Sequence, residues 1–365
     1  EGAQREDTRN PYVTRIRGPI DECGRCAHTS EAARMITLRP YDKTRARDLE
    51  SAEAETGNYA RLSGDWRHYR HTQIVTSNAA ATIPVFRGIS LIGEVRDSWV
   101  QAKNVRRLDG SVKKLATNIV SGAAGFAAAI ANGAEFKAEA LYGINGPGGR
   151  IGYFDNWQGG DFQMAAIYHE PYVETAEGIA DHASRDEARI AFSQRLMPGL
   201  WGRAELRTTR YGVRGDTNIA HTAGFDASLR YAQKIFGGLT AGLTYEVSGD
   251  YVFRRHKYLG LSPTPFNPLS IRTREIHAGS ASLGIPLGLD LSADLYGGYA
   301  YDRYGEKGPF GGGEIRYHAA PGFDVALSGS YTKVSKRQGV TGAETTAGLK
   351  LIYKIPAYGP PGSAL

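Results

Sequence analysis

Between Ala188 and Ile355 apolar and polar positions alternate in runs of about nine residues separated by Gly-rich breaks. Leu239, Ala241, Leu243, Tyr245 and Val247 interleave with Thr240, Gly242, Thr244, Glu246 and Ser248. Leu289, Leu291, Ala293 and Leu295 alternate with Asp290, Ser292, Asp294 and Tyr296, and Ala347, Leu349, Leu351, Tyr353 and Ile355 with Gly348, Lys350 and Lys354. Period two means strands with one greasy and one wet face. Many such strands in series, with charge on the wet face, predict a closed barrel around water in a membrane.

The pattern predicts strands at 59–71, 85–100, 111–130, 134–144, 149–156, 160–169, 184–196, 199–211, 221–234, 237–250, 271–285, 287–303, 310–318, 321–335 and 343–355. Counted back from the C-terminus, short links alternate with longer ones. Outer-membrane barrels show this asymmetry, with tight periplasmic turns and longer external loops. If the last strand descends to the periplasm, parity makes 59–71 descend as well and demands an ascending strand before it. Residues 33–42, ARMITLRPYD, are the candidate, although Pro40 weakens them as a strand. The fold class is therefore all-β, a transmembrane antiparallel barrel of about 16 strands. It divides into a polar periplasmic segment (1–32), the barrel (33–355) and a tail (356–365).

Lys or Arg at a lipid midplane costs about 2–4 kcal/mol, so a face carrying several charges per strand must line water. On that basis the lumen is lined by Glu135, Lys137, Glu139, Arg189, Arg195, Arg203, Glu205, Arg207, Asp226, Arg230, Glu246, Asp290, Asp294, Glu314, Arg316 and Lys350. Strands over 184–211 are rich in Arg and those over 237–303 in acids, which predicts either a transverse field or local cross-strand pairing. Tyr59, Trp66, Trp99, Trp157, Tyr168, Trp201, Tyr211, Tyr301, Tyr304, Tyr331 and Tyr353 fit interfacial girdles. The loop 251–270 is a candidate constriction or gate through Arg254, Arg255, His256 and Lys257, with a plain surface loop as the alternative.

Composition supports this picture. Hydrophobic residues make up 41%, and no run resembles an apolar helix long enough to span a bilayer. Forty-six Gly and twenty-one Tyr against three Met suit turns, close-packed strands and interfacial aromatics. The net charge of +6 is dispersed, which argues against nucleic-acid binding. The start at Glu1, without Met or an apolar signal core, reads as a processed product or a fragment. Cys23 and Cys26 form a CxxC pair that reads as a short structural disulfide of an oxidising periplasm, metal binding with His28 being the weaker alternative. His169 with Glu170, and Asp181 with His182 near Ser184, are the nearest approach to acid/base pairs, and no enzyme, metal or cofactor is expected from them. GPGG (146–149) and GPFGGG (308–313) read as turn glycines, and Gly348, Leu351 and Tyr353 resemble the C-terminal assembly signal of outer-membrane barrels.

Residues 171–192, PYVETAEGIADHASRDEARIAF, followed by 203–216, RAELRTTRYGVRGD, resemble the C-terminal porin domain of PelB-type exopolysaccharide exporters. Related barrels end the cellulose exporters and the bacteriophage N4 adsorption protein. The resemblance implies a sixteen-stranded outer-membrane barrel that passes a polysaccharide, preceded in that family by a tetratricopeptide superhelix; no such repeat is visible here, so the resemblance makes this the barrel end of a longer protein or a variant without the scaffold. The implied partners are outer-membrane lipid and lipopolysaccharide, a polysaccharide cargo and periplasmic export proteins. A general diffusion porin or surface receptor, or a structural barrel of a larger envelope assembly, are the alternatives.

Overall fold

The computed structural model describes residues 58–355 apart from 87, 131–133, 158 and 259–263. Cys23, Cys26, His28, the strand expected at 33–42, and the segments 1–32 and 356–365 lie outside the described residues. The first half of the sheet contains β1 (Tyr59–Tyr69), β2 (Thr72–Phe86), β3 (Ile89–Arg106), β4 (Val112–Ala129), β5 (Glu135–Gly143), β6 (Gly146–Trp157), β7 (Gly160–Pro171) and β8 (Ser184–Met197). The second half contains β9 (Leu200–Val213), β10 (Asp216–Lys234), β11 (Thr240–Arg255), β12 (Arg274–Pro286), β13 (Leu291–Asp302), β14 (Lys307–Ala320), β15 (Phe323–Thr332) and β16 (Glu344–Lys354). One short helix, α1 (Ala176–Ala180), interrupts the link between β7 and β8.

Each strand pairs antiparallel with its neighbours, and β1 pairs with β16 from Tyr59↔Lys354 to Tyr69↔Glu344, which closes the ring. The barrel is sixteen-stranded, but the sixteenth strand is β2, within the stretch that the alternation left out. In β2 the run Ala79–Ala81 marks neither face, and Ile74 is 1% exposed on the same face as Thr72 and Thr76, so the two-residue period is blurred. With β2 in place β1 runs opposite to β16, not parallel to it, and the ring closes without any strand before Tyr59. The Gly-rich segments 146–149 and 308–313 are strand residues of β6 and β14 and not turns.

At one end every link is short, from two residues (198–199) to five (130–134). At the other end three loops are long: 172–183, 256–273 and 333–343. Leu206, Leu243, Val95 and Val120 are 57–63% exposed on the outer face, while their strand neighbours Arg207, Thr244, Ser98 and Ile119 are buried. So much exposed aliphatic surface around a closed ring is stable only against lipid. Trp66, Trp99, Trp157, Tyr168, Tyr301, Tyr304, Tyr331 and Tyr353 stand exposed on this outer side. The register turns the other three girdle candidates inward: Tyr59 (5% exposed), Tyr211 (6%) and Trp201, which shares the face of Arg203.

The ionic face is paired between neighbouring strands along the wall. Arg207 on β9 pairs with Asp226 on β10 and Asp250 on β11, and lies 3.8 Å from Glu205. It reaches Asp250, two strands away, because Gly224 stands between them; a Cβ there would lie 2.5 Å from the Asp250 carboxylate and 2.7 Å from Arg207 Nε. Removing one partner of a buried ion pair leaves an uncompensated charge, a cost of about 3–5 kcal/mol. Arg207→Leu is expected to lower barrel stability by about that amount, and Gly224→Val to act in the same direction by blocking the bridge. Urea titration followed by heat-modifiable gel mobility checks both variants.

Candidate functional site

The sequence-predicted lumen residues sit where alternation put them, with one exception. Register places Glu135, Lys137 and Glu139 (β5), Arg189 and Arg195 (β8), and Arg203, Glu205 and Arg207 (β9) on the inner side. Asp226 and Arg230 (β10), Glu246 (β11), Asp294 (β13), Glu314 and Arg316 (β14) and Lys350 (β16) share it. Asp290 does not: it lies exposed in the turn before β13, and its carbonyl accepts the His318 N–H at 2.8 Å.

These charges neutralise one another locally, so the lumen has no broad basic wall facing an acidic one. Glu139 takes two hydrogen bonds from Arg150 at 2.6 and 2.8 Å, and Glu170 lies 2.6 Å from Arg185. Lys137 is 3.3 Å from Glu135, Arg203 3.2 Å from Glu205 and Arg316 2.8 Å from Glu314. The acid/base candidates are absorbed in the same way, with Glu170 held by Arg185 and Asp181 by Arg107 at 3.0 Å. Among the described residues no group of three or more His, Cys, Asp or Glu could hold a metal ion.

At the long-loop end the inner wall changes from ionic to apolar. Ile74, Val100 and Ile119 on β2–β4 are at most 3% exposed, and Ile219 and Ala220 on β10 are fully buried. What covers them is the three long loops, folded into the mouth. Ile179 of α1 and Val340 of 333–343 pack on Ile74, Val100 and Ile119. Leu269 and Ile271 of 256–273 pack on Tyr172, Tyr211, Val213, Ile219 and Ala220. The loops then meet at Gly339, whose φ is +76° and where a Cβ would lie 2.7 Å from both the Leu269 carbonyl and the Thr175 methyl. The contacts run from β3 to β10 and β11, about half-way round the ring, and so cross the mouth.

Polar bonds lock the same junction. Tyr172 donates to the Gln338 carbonyl at 2.7 Å, and Gln338 Oε1 accepts the Arg272 N–H at 3.2 Å. Arg274 donates to the Arg337 carbonyl at 2.6 Å, and Lys336 reaches across to Glu246 at 2.7 Å. Glu174 sits between Arg337 (2.6 Å) and Arg67 (2.7 Å). Burial alone would raise its carboxyl, but Arg337 and Arg67 outweigh that and hold it well below the usual carboxylate range.

The loop 251–270 does turn inward, but through Leu269 and not through the four residues named for it. Strand β11 extends to Arg255, and Arg254, Arg255 and Lys257 lie exposed at the rim, with His256 half-buried beside Asp216 at 3.6 Å. It is the apolar pair Leu269 and Ile271 that enters the mouth. Sequence reasoning missed Glu174, Ile179, Arg337, Gly339 and Val340 altogether. The available signal was apolar spacing inside polar loops: Ala176, Ile179 and Ala180 repeat at helical intervals within 172–183.

No protein-family model matches the chain, and no curated protein does. Solved structures do. A bacterial polysaccharide outer membrane secretin is 10% identical, with a TM-score of 0.56 over 82% of this chain and 99% of that one. OccK11 (OpdR) of Pseudomonas aeruginosa is 12% identical, with a TM-score of 0.43 over 83% and 97%. OmpT, an outer membrane protein of Vibrio cholerae, is 11% identical, with a TM-score of 0.42 over 82% and 96%. The likeness to the secretin is one of fold, and with the lipid-facing surface it makes this chain a transmembrane β-barrel of the outer-membrane type.

Gly339→Val forces the three loops apart and is expected to raise single-channel conductance in planar bilayers over that of the unaltered barrel. The Glu174 clasp has a defined pH signature. A depressed carboxyl stabilises the folded plug fully above the usual Glu value of about 4.3 and loses that contribution as pH falls toward its own lowered value. Conductance of the unaltered barrel should stay flat from pH 7 to about 5 and rise only below about 4. Glu174→Gln should remove this dependence.

Proposed function

We propose that the protein is an outer-membrane pore that translocates a secreted polysaccharide through its charged, hydrated lumen, in a state closed here by the three-loop plug. The plug carries this reading. A barrel with a purely structural role has no need of an apolar collar on its inner wall, nor of loops from three separate hairpins interlocked at one glycine. Hydroxyl-rich polymer suits the wall: paired charges, Ser and Thr offer many weak polar contacts along the lumen. The likeness of fold to a polysaccharide secretin supports the cargo class. Longer loops face outward in such barrels, so the plug would stand at the external end and the open mouth at the periplasmic end.

Loop 333–343 touches both other loops, so it is the keystone of closure. Shortening it is expected to raise conductance more than shortening 256–273. Polysaccharide added to the shortened variant should give transient current blockades, and added to the unaltered barrel none. A shortened barrel that conducts ions but shows no blockade by any polymer would overturn the cargo reading.

A further inference from the structure

On the lipid-facing side of the long-loop end, two lysines stand side by side. In β3 Trp99 and Gln101 are exposed on the outer face, while Ala102 and Val105 are buried inside. Register pairs Ala102 with Leu115 and Val105 with Lys113, so Lys103 and Asn104 share one opposite residue on β4, Lys114. At this bulge Asn104 takes a φ of +59°. Lys103 continues the outward row of Trp99 and Gln101, Lys114 continues that of Asn118 and Ala116, and both lysines are exposed.

Like charges directly opposite each other across a sheet repel, so the fold gains nothing from this pair. Two other cations at the same rim are matched: Arg210 on β9 pairs with Asp186 on β8, and Arg303 after β13 lies 3.3 Å from Glu275 on β12. Neither the Lys103 nor the Lys114 side chain has an acid partner among the described residues. The one acid on the outer face of β3, Asp97, is six residues from Lys103, about 20 Å along the strand. Trp66, Val75 and Trp99 form one exposed register row just below, at the level where hydrocarbon meets headgroups. The lysines stand beyond that row, and their stems can lie along it while the ammonium groups reach the headgroup layer. Two adjacent ammonium groups match the near-double charge of a phosphate monoester better than the single charge of a diester.

We propose that Lys103 and Lys114 form a docking site for a membrane lipid of the outward leaflet whose headgroup carries a phosphate monoester. The phosphate lies between the two ammonium groups and removes their repulsion, and the acyl chains lie against Trp66, Val75 and Trp99. That apolar row is what makes the occupant a lipid and not a free phosphate. The site goes beyond the pore reading and does not depend on the cargo. It also stands on the back of the plug: Ala102 and Val105, the inner-face neighbours of Lys103, pack on Ala176 and Ala180 of α1.

The test is native mass spectrometry of the full chain in a neutral detergent, titrated with bisphosphorylated lipid A, a monoester, and with phosphatidylglycerol, a diester. Lipid A should bind at least about tenfold tighter than phosphatidylglycerol. The double change Lys103→Gln with Lys114→Gln should weaken lipid A by about tenfold or more, and either single change by about threefold. The double change to Arg keeps both charges and should stay within about threefold of the unaltered chain, while Arg254→Gln, at an exposed rim position on β11, should have no effect. Heat-modifiable gel mobility confirms that each variant is folded. Lipid A binding that survives the two Gln changes overturns the site, as does equal binding of phosphatidylglycerol. Displacement of lipid A by an equal concentration of inorganic pyrophosphate would overturn the lipid as occupant. None of these readouts involves polymer blockade, so the lipid site and the pore reading fall separately.

Discussion

Backbone amides cannot be left unpaired in hydrocarbon, and the pairing of β1 with β16 is what satisfies the last of them. Eleven residue pairs, Tyr59↔Lys354 through Tyr69↔Glu344, turn a sheet with two edges into a ring with none. Once the ring is closed, every other feature has only two sides to choose between. Period two sends Leu206 to lipid and Arg207 to the interior, because a shift of one residue would exchange them. The long loops are constrained as well: they either stand in water or turn into the mouth.

Inside the ring, charge is organised by neighbours and not by walls. The arginines of β8 and β9 meet Glu187, Glu205, Asp226 and Asp250 within one or two strands. Such pairing allows the lumen to carry many ionised groups without a large net field.

Much of the barrel was legible because lipid enforces a strict two-sided code on each strand. Glu135, Lys137 and Glu139, or Asp226 and Arg230, could be assigned inward from their neighbours alone. The code failed where its premise failed. In β2 the inner residue Ile74 is apolar because a loop covers it, and Ala79–Ala81 belong to either face, so the strand vanished from the pattern. Trp201 looked like a girdle residue because an aromatic near a strand end is ambiguous; only its register with Arg195 and Arg230 resolves the face. The plug was out of reach for a different reason. Its contacts join Arg67 to Glu174 and Tyr172 to Gln338, more than 100 positions apart, and local periodicity has no access to such pairs.

The apolar collar finally bears on how closure is held. Fully burying one Ile, Leu or Val side chain is worth about 1.5–3 kcal/mol. Ile179, Leu269, Ile271 and Val340 are all buried in the mouth, together with the wall residues they cover. Withdrawing even part of this set into water costs several kcal/mol, which thermal motion supplies only rarely. Buried ion pairs such as Glu174 with Arg337 and Arg67 fix the geometry of the closed state and add their own cost when one partner is lost. The barrier to opening is therefore shared between the apolar collar and this clasp. It is lowered efficiently by anything that offers the loops another apolar or ring-shaped surface, and poorly by a change in salt alone.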